Sequence, residues 1–480
     1  MPRRPLLRAA CFARRAAFTL FVRFLRFLLF CCILAPVWAQ PSDLDARVQQ
    51  FLDHSLPRLG RNLAVGDLGS VLAAPSRYDP NLYFHWTRDA ALVVDALVQL
   101  LPYVENTPAE DALTRFLENH VRLVAKLQSL PSKYGLSDTR YNVAGTLDVS
   151  DWPRPQHVGP ALRALALMRY RELQRGKLSA EIEPLSRIVV ERDLDSVGRT
   201  CSARSFDLWE TSYGFHYYTR VVQLGALEAG IRVFGGQAHP LWSASVKQLR
   251  RDLAAHWREA DRVYAFSDGA LFDQQGDPVT EPRVGLDIAF VLAANHARLR
   301  DGAFSPLDER LWSTAHSHEE FFRRTLPLNQ RHVRGPALGR HPADAAAGRG
   351  SFIATAARAE HCFRIARALR DGPEGELIPS RDRRATLEDV LGSRVERDVS
   401  FPLPDGTLAE AFARKGEAFL STALEQIGAD GLVAFQFDGE TGAPRSARDH
   451  SWSYAALLTA ILEREAWHRS SANFSQLRLR

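Results

Sequence analysis

Cysteine is scarce in this 480-residue chain: there are five, and Cys11, Cys31 and Cys32 lie within the first 39 residues. Only Cys201 and Cys362 follow, so a disulfide-built scaffold is excluded and a packed core must hold the fold. A secreted chain allows one bridge between those two; the plainer reading is two buried thiols. No Ser-, Gly- or Pro-rich linker interrupts the chain, so residues 40–480 are expected to form one large domain although length alone suggests about three. Strand signals are sparse. Basic charge is also missing once the first 39 residues are set aside. The formal net charge is +5, that segment carries seven arginines and no acid, and the remainder stands at −2. Nothing basic is left to argue for a nucleic-acid partner.

The arginine-rich start, the apolar run 27–35 and the small residues of Val37-Trp38-Ala39 have the layout of a signal peptide over 1–39. The run is too short to span a bilayer comfortably. If uncleaved it would act as a signal anchor, which is the one route to a membrane. A secreted or vacuolar protein is expected, and a monomer. The sequon Asn473-Phe474-Ser475 offers a surface glycan site.

What the chain does have is helical periodicity. Leu92, Val93, Leu97 and Leu100 repeat at helix spacing after Asp89, and so do Leu113, Phe116, Leu117, Val121, Val124 and Leu127. Further helices are expected near 43–57, 157–175, 179–195, 211–233, 239–257, 283–297, 306–324, 350–371, 406–425 and 451–468. Some are apolar all round, as at Ile288-Ala289-Phe290-Val291-Leu292-Ala293-Ala294. Others, such as 239–257, carry a charged face with Lys247, Arg250, Arg251 and Asp252. Two kinds of helix imply a buried ring inside a half-solvated one, an all-α (α/α)6 barrel of about twelve helices. An irregular helical array has the same periodicity.

Three runs combine acid, arginine and tryptophan, and each is placed before a helix: Trp86-Thr87-Arg88-Asp89, Asp207-Leu208-Trp209-Glu210 and Arg448-Asp449-His450-Ser451-Trp452. A sugar ring offers hydroxyls to charged groups and an apolar face to an indole. Taken alone, Glu210 also reads as a first-turn helix acid with Asp207 as N-cap, and Trp86, Trp152 and Trp209 as core.

Taken together, these runs resemble a known family. Trp86-Thr87-Arg88-Asp89-Ala90-Ala91-Leu92 resembles the first signature of fungal glucoamylases, glycoside hydrolase family 15. Tyr141-Asn142-Val143, Trp152-Pro153-Arg154-Pro155-Gln156 and Gly159-Pro160-Ala161-Leu162-Arg163-Ala164 resemble their second block. Asp207-Leu208-Trp209-Glu210 resembles the block of their general acid, and Gly339-Arg340-His341-Pro342 a substrate-arginine block. Ser446-Ala447-Arg448-Asp449 with Trp452-Ser453-Tyr454-Ala455-Ala456-Leu457-Leu458 resembles the closing block. Five blocks in family order are a specific signal. The resemblance implies an (α/α)6 barrel, no metal or organic cofactor, and exo-acting, inverting hydrolysis of α-1,4-glucosidic bonds in glucans or maltooligosaccharides. It implies Glu210 as general acid, Arg88 and Asp89 as the grip on the terminal glucose, Arg340 as a further substrate arginine, and Trp86, Trp152 and Trp209 as sugar platforms. No block resembling the family's appended starch-binding domain is found.

The pattern breaks at the general base. The family carries a Glu-Gln pair shortly before the closing block, and here Val433-Ala434-Phe435-Gln436-Phe437-Asp438 stands in its place. Phe435 occupies the base position and cannot accept a proton. Asp438 and Glu440 would substitute only if the loop is rebuilt. Leu82 replaces an aromatic that would face the reacting centre, and Thr211 follows Glu210 where fungal members usually carry a second acid. The alternative to a hydrolase is therefore a weakened or inactive member that binds α-glucans.

Overall fold

A computed structural model describes residues 43–471, apart from 64–67, 79, 281–284, 333–334 and 397–398. The leader and the sequon lie outside the described residues. In chain order the helices are α1 (Asp43–Gln50, continued by a π-turn at Phe51–Ser55), α2 (Leu56–Leu63), α3 (Thr87–Leu100), α4 (Pro108–Leu127), α5 (Val158–Leu173), α6 (Ile182–Thr200), α7 (Tyr217–Phe234), α8 (Pro240–Ala254), α9 (Ala289–Ala297), α10 (Glu309–Thr325), α11 (Pro342–Ala346), α12 (Phe352–Asp371), α13 (Arg381–Leu391), α14 (Gly406–Glu425) and α15 (Ser451–Ser471).

The chain alternates between two rings. Helix α3 packs on α5, α5 on α7, α7 on α9, α9 on α12, α12 on α15, and α15 returns to α3. Around this closed inner ring lie α4, α6, α8, α10, α14 and the α1–α2 pair, with α13 bridging α10 and α14. The expected (α/α)6 barrel is the observed fold. Composition explains which helix goes where. Helix α5 is buried from Val158 to Met168 because nearly every residue there is apolar or glycine. Helix α4 buries Leu113, Leu117, Val121 and Val124 and leaves a polar face to water, the stripe that places a helix on an outer layer.

Each of the first five inner helices is followed by an outer one running back, and the α1–α2 pair precedes the first, so all six inner N-termini meet at one end. That end is dressed with short hairpins. The strand at His85–Trp86 pairs antiparallel with Arg140–Asn142, Ser205–Phe206 with Tyr213–His216, and Arg349–Ser351 with Gln436–Asp438. These strands account for one shortened helix. The helix expected over 211–233 begins only at Tyr217, and Glu210 sits in a tight turn between two strands rather than in a first helical turn. Asp207 still caps, but it caps that turn, accepting from the backbone N–H of Trp209, Thr211 and Ser212. Cys201 and Cys362 are both free and buried, which is the thiol reading. No helix among the described residues is long and apolar enough to cross a membrane.

Candidate active site

The loops at the N-terminal end of the inner ring bring Trp86, Arg88, Trp152, Gln156 and Glu210 together. Trp86 ends its strand and precedes α3, so its side chain and those of the first turn face the barrel mouth. Trp152 belongs to a loop pinned by Arg154, which donates to Asp138 (2.7 Å) and Asp148 (2.9 Å). Glu210 occupies the left-handed region, at φ 65°. A non-glycine residue there costs about 1–3 kcal/mol, which the surrounding structure must offset. Here the Asp207 cap and four donors hold it.

Those donors converge on one carboxylate. Oε1 of Glu210 accepts from Trp86 Nε1 (2.8 Å), Gln156 Nε2 (2.8 Å) and Arg88 Nη1 (3.3 Å). Oε2 accepts from Trp152 Nε1 (2.8 Å). The two indoles meet edge to face at 5.6 Å. Arg140 lies over Trp152 at 3.8 Å and over Trp86 at 4.8 Å, clamping both rings from behind. Arg88 also donates to Asp89 (2.9 Å) and to Gln156 Oε1 (3.0 Å). Burial pushes the Asp89 carboxyl up, against the pull of Arg88.

A second group faces this one. Trp209 donates its indole N–H to both oxygens of Asp287 (3.1 and 3.0 Å) and stacks on Trp452 at 5.8 Å. Arg340 lies 5.2 Å from the Trp209 ring and 4.9 Å from the Phe435 ring. Its backbone N–H, Nε and Nη2 all donate to Asp344. Gln436 Nε2 completes the ring of donors on Asp344 at 2.8 Å. Burial works to raise the Asp344 carboxyl, and its pairing with Arg340 overcomes that and holds it below the usual range. Phe435 packs against His450 at 4.6 Å. Burial, helped by Arg88 and Arg340, pushes His450 down to about 3, so the imidazole is neutral at any working pH.

Of the residues singled out in the sequence, Trp86, Arg88, Asp89, Trp152 and Glu210 form one contact network, and Trp209, Arg340 and Phe435 form the facing one. Asp438 and Glu440 belong to a hairpin turn. Asp438 Oδ1 accepts from the N–H of Glu440 (3.1 Å) and Thr441 (2.9 Å), and Oδ2 from Arg445 Nη2 (2.7 Å). Those bonds hold its carboxyl well below the usual carboxylate range. Glu440 is exposed. Asp449 ties the closing loop to α2 through Arg58 (2.7 Å) and to Tyr454 (2.7 Å), while Arg448 is exposed. Gln156, Asp287, Arg140 and His450 reach the cluster without having been selected. Gln156 ends the Trp152 run, and His450 lies inside the closing block; Asp287 and Arg140 carry no local signal.

The chain and its barrel have counterparts. The model of glycosyl hydrolases family 15 matches residues 54–462. A glucoamylase of Saccharomycopsis fibuligera is 26% identical over 470 residues, covering 88% of this chain and 90% of its own. Glucoamylase 1 of Rhizopus oryzae is 27% identical over 410 residues, covering 82% of this chain and 66% of its own. Among solved structures, the family 15 glucoamylase of Hypocrea jecorina superimposes with a TM-score of 0.73 at 25% identity, over 94% of this chain and 74% of that one. A glucoamylase from S. fibuligera does so at 0.76 and 24%, over 89% and 96%, a likeness of fold. A family match over most of the chain, with the same barrel beneath it, places the protein in glycosyl hydrolases family 15, among the glycoside-cleaving enzymes.

Proposed function

We propose that this protein removes terminal glucose from α-1,4-linked glucans or maltooligosaccharides by exo-acting, inverting hydrolysis, releasing β-D-glucose, with Glu210 as the general acid. The observation that carries this reading is the four-donor cradle on Glu210 beside the Arg88–Asp89 pair. Oε1 takes three N–H donors and has no room for a proton, whereas Oε2 takes only Trp152. The transferable proton therefore sits on Oε2, and the leaving glycosidic oxygen lies on that side. Asp89 accepts and Arg88 donates, so the pair matches vicinal hydroxyls at the free end of a glucan. Trp86, Trp152 and Trp209 supply apolar faces, and Arg340 borders the pocket opposite the acid. The protein acts through one catalytic barrel without a cofactor, and reaches a secreted or vacuolar location through its leader.

An inverting reaction also needs an ionised carboxylate about 6.5–9.5 Å from the acid, with a water between them. Phe435 stands where the family resemblance puts that group, and Asp438 has its lone pairs engaged by the hairpin. Turnover is therefore expected to be about 10²–10⁴-fold slower than with a positioned base. The same observation favours a second reading, in which the pocket binds an α-glucan end without cleaving it. The two part on one experiment: purified protein with maltoheptaose, followed for days for glucose release and by NMR for its anomer. Release of β-glucose that is lost in Glu210→Gln supports the hydrolase; saturable binding with no release in the wild type supports the binder.

A further inference from the structure

The opposite end of the barrel holds a feature that none of this chemistry uses. There the C-terminal portions of α5, α7, α9, α12 and α15 enclose a cavity of about 1500 Å³, larger than the roughly 300–1,000 Å³ of ordinary ligand pockets. Arginines outnumber carboxylates on its wall ten to seven, and no lysine is present. Deep inside, Arg298 pairs with Asp95 (3.1 Å), as Arg169 also does; Arg364 pairs with Glu360 (2.8 Å) and Glu463 (3.0 Å), and Arg367 with Glu463 (2.7 Å). Four guanidinium groups thus share three carboxylates.

Helix C-termini attract cations, which explains why arginines gather here. It does not close them off: the side chains of Arg169, Arg298 and Arg367, which line the cavity, stay 19, 22 and 42% exposed. Their outward N–H groups are open to a further acceptor, and water in that place leaves the excess positive charge where it is. The strain of that excess is visible at Arg298, which burial and the neighbouring Arg169 and Arg364 push down to about 9. Three further arginines, Arg175, Arg232 and Arg300, stand exposed at the mouth.

We infer that this cavity binds a phosphate-bearing small molecule, its phosphoryl oxygens accepting from the cavity-facing guanidinium groups of Arg169, Arg298 and Arg367 and its remainder lying toward Arg175 and Arg232. A tetrahedral dianion offers several strong acceptors to several planar donors at once, a match that a monoanion or a water lacks. The inference does not depend on Glu210 or on turnover.

The test is calorimetric titration of the full chain with inorganic phosphate and with glucose 6-phosphate, at constant ionic strength, with chloride as control. Saturable binding is expected for at least one phosphate and none for chloride. Tighter binding of glucose 6-phosphate marks an organic phosphate as the occupant, and equal binding marks free phosphate. Arg298→Gln should weaken the binding by about tenfold or more, the loss of one charge-assisted contact. Arg367→Gln, at a half-exposed side chain less critical to folding, should weaken it by roughly threefold or more. Excess maltotetraose should displace nothing. Absence of saturation, unchanged affinity in both variants, or displacement by maltotetraose, which would put the phosphate in the sugar pocket, each overturns the inference.

Discussion

The two walls of the candidate site are built on opposite plans. On the Glu210 wall, donors from two segments, 86–88 and 152–156, converge on one carboxylate, and the backbone beneath it is held at positive φ. On the Phe435 wall, the polar groups turn to one another: Arg340, Asp344 and Gln436 close a network of their own, and Phe435 fills the space between Arg340 and His450. The first wall keeps a reactive group available at a cost in strain and desolvation; the second has settled into a packed, internally satisfied arrangement. The contrast teaches that the halves of a two-carboxylate mechanism are separable. An aromatic at the proposed base position leaves the barrel intact, because Phe435 precedes a surface hairpin and packs on neighbours already present.

The sharpest way to break this comparison is to remove the acid. Glu210→Gln keeps the size and most of the hydrogen bonds but cannot donate a proton as an acid, and glucose release should fall about 10²–10⁴-fold. Release at wild-type rate would mean that the four-donor cradle is not where the chemistry happens. The converse substitution, Phe435→Glu, should raise the rate by about 10²-fold or more if the facing wall lacks only its carboxylate. If the variant folds, binds maltoheptaose and gains nothing, the second wall has lost its water site as well as its base.

A subtler change separates positioning from packing. Trp152→Phe keeps an aromatic platform and deletes the N–H on Glu210 Oε2. One hydrogen bond to a charged group, worth about 1.5–3 kcal/mol, should appear as a tenfold or larger drop in kcat. KM should change little. Asp438→Asn tests the opposite wall: it removes hairpin bonds and no reacting group, so the thermal midpoint should drop by roughly 2–4 °C while the rate changes by less than about twofold. A large rate loss there would restore Asp438 as a base.

Much of this architecture was readable from the chain, and the reason is physical. Barrel helices must be apolar on all sides or on one, and that periodicity survives without knowledge of contacts; the expected helix near 406–425 is α14 to the residue. The boundary near Glu210 was not readable, because the strands at Ser205–Phe206 and Tyr213–His216 exist only by pairing with each other and with Ser267–Phe272. The same limit applies to the site. Glu210, Arg88 and Trp152 stand in runs whose composition advertises sugar chemistry. Asp287 and Arg140 do not: their relevance comes from where the fold puts them, 78 residues from Trp209 in one case and behind two indoles in the other. The arginine cavity was invisible for the same reason, since its members are spread over five helices.

The smallest effect on activity, and the one that treats both walls alike, concerns pH. Burial pushes His157, behind the Glu210 wall, and His318, against the Arg340 backbone carbonyl, down to about 4, and it does the same to His120 and His256. Their unfolded counterparts titrate near 6.5. Between about pH 4 and 6.5 the unfolded chain therefore binds more protons than the folded one, so stability falls as pH drops through that window and levels off for these groups below it. Buried carboxylates act lower: burial works to raise Glu319, but Lys415 and Arg358 overcome it and hold the group at about 2, so its contribution is lost only as pH falls below the ordinary carboxylate range. Thermal midpoints measured from pH 7 to pH 4 should thus begin to decline near pH 6.5, above the ordinary carboxylate range. Near pH 5 the proton uptake on unfolding should drop by about one in His318→Asn. A flat profile down to pH 4.5 would mean that these imidazoles are not held neutral by the core, while activity at pH 7, where all four are neutral in the folded protein, should be unmoved by the loss of His120 or His256 provided the fold is kept.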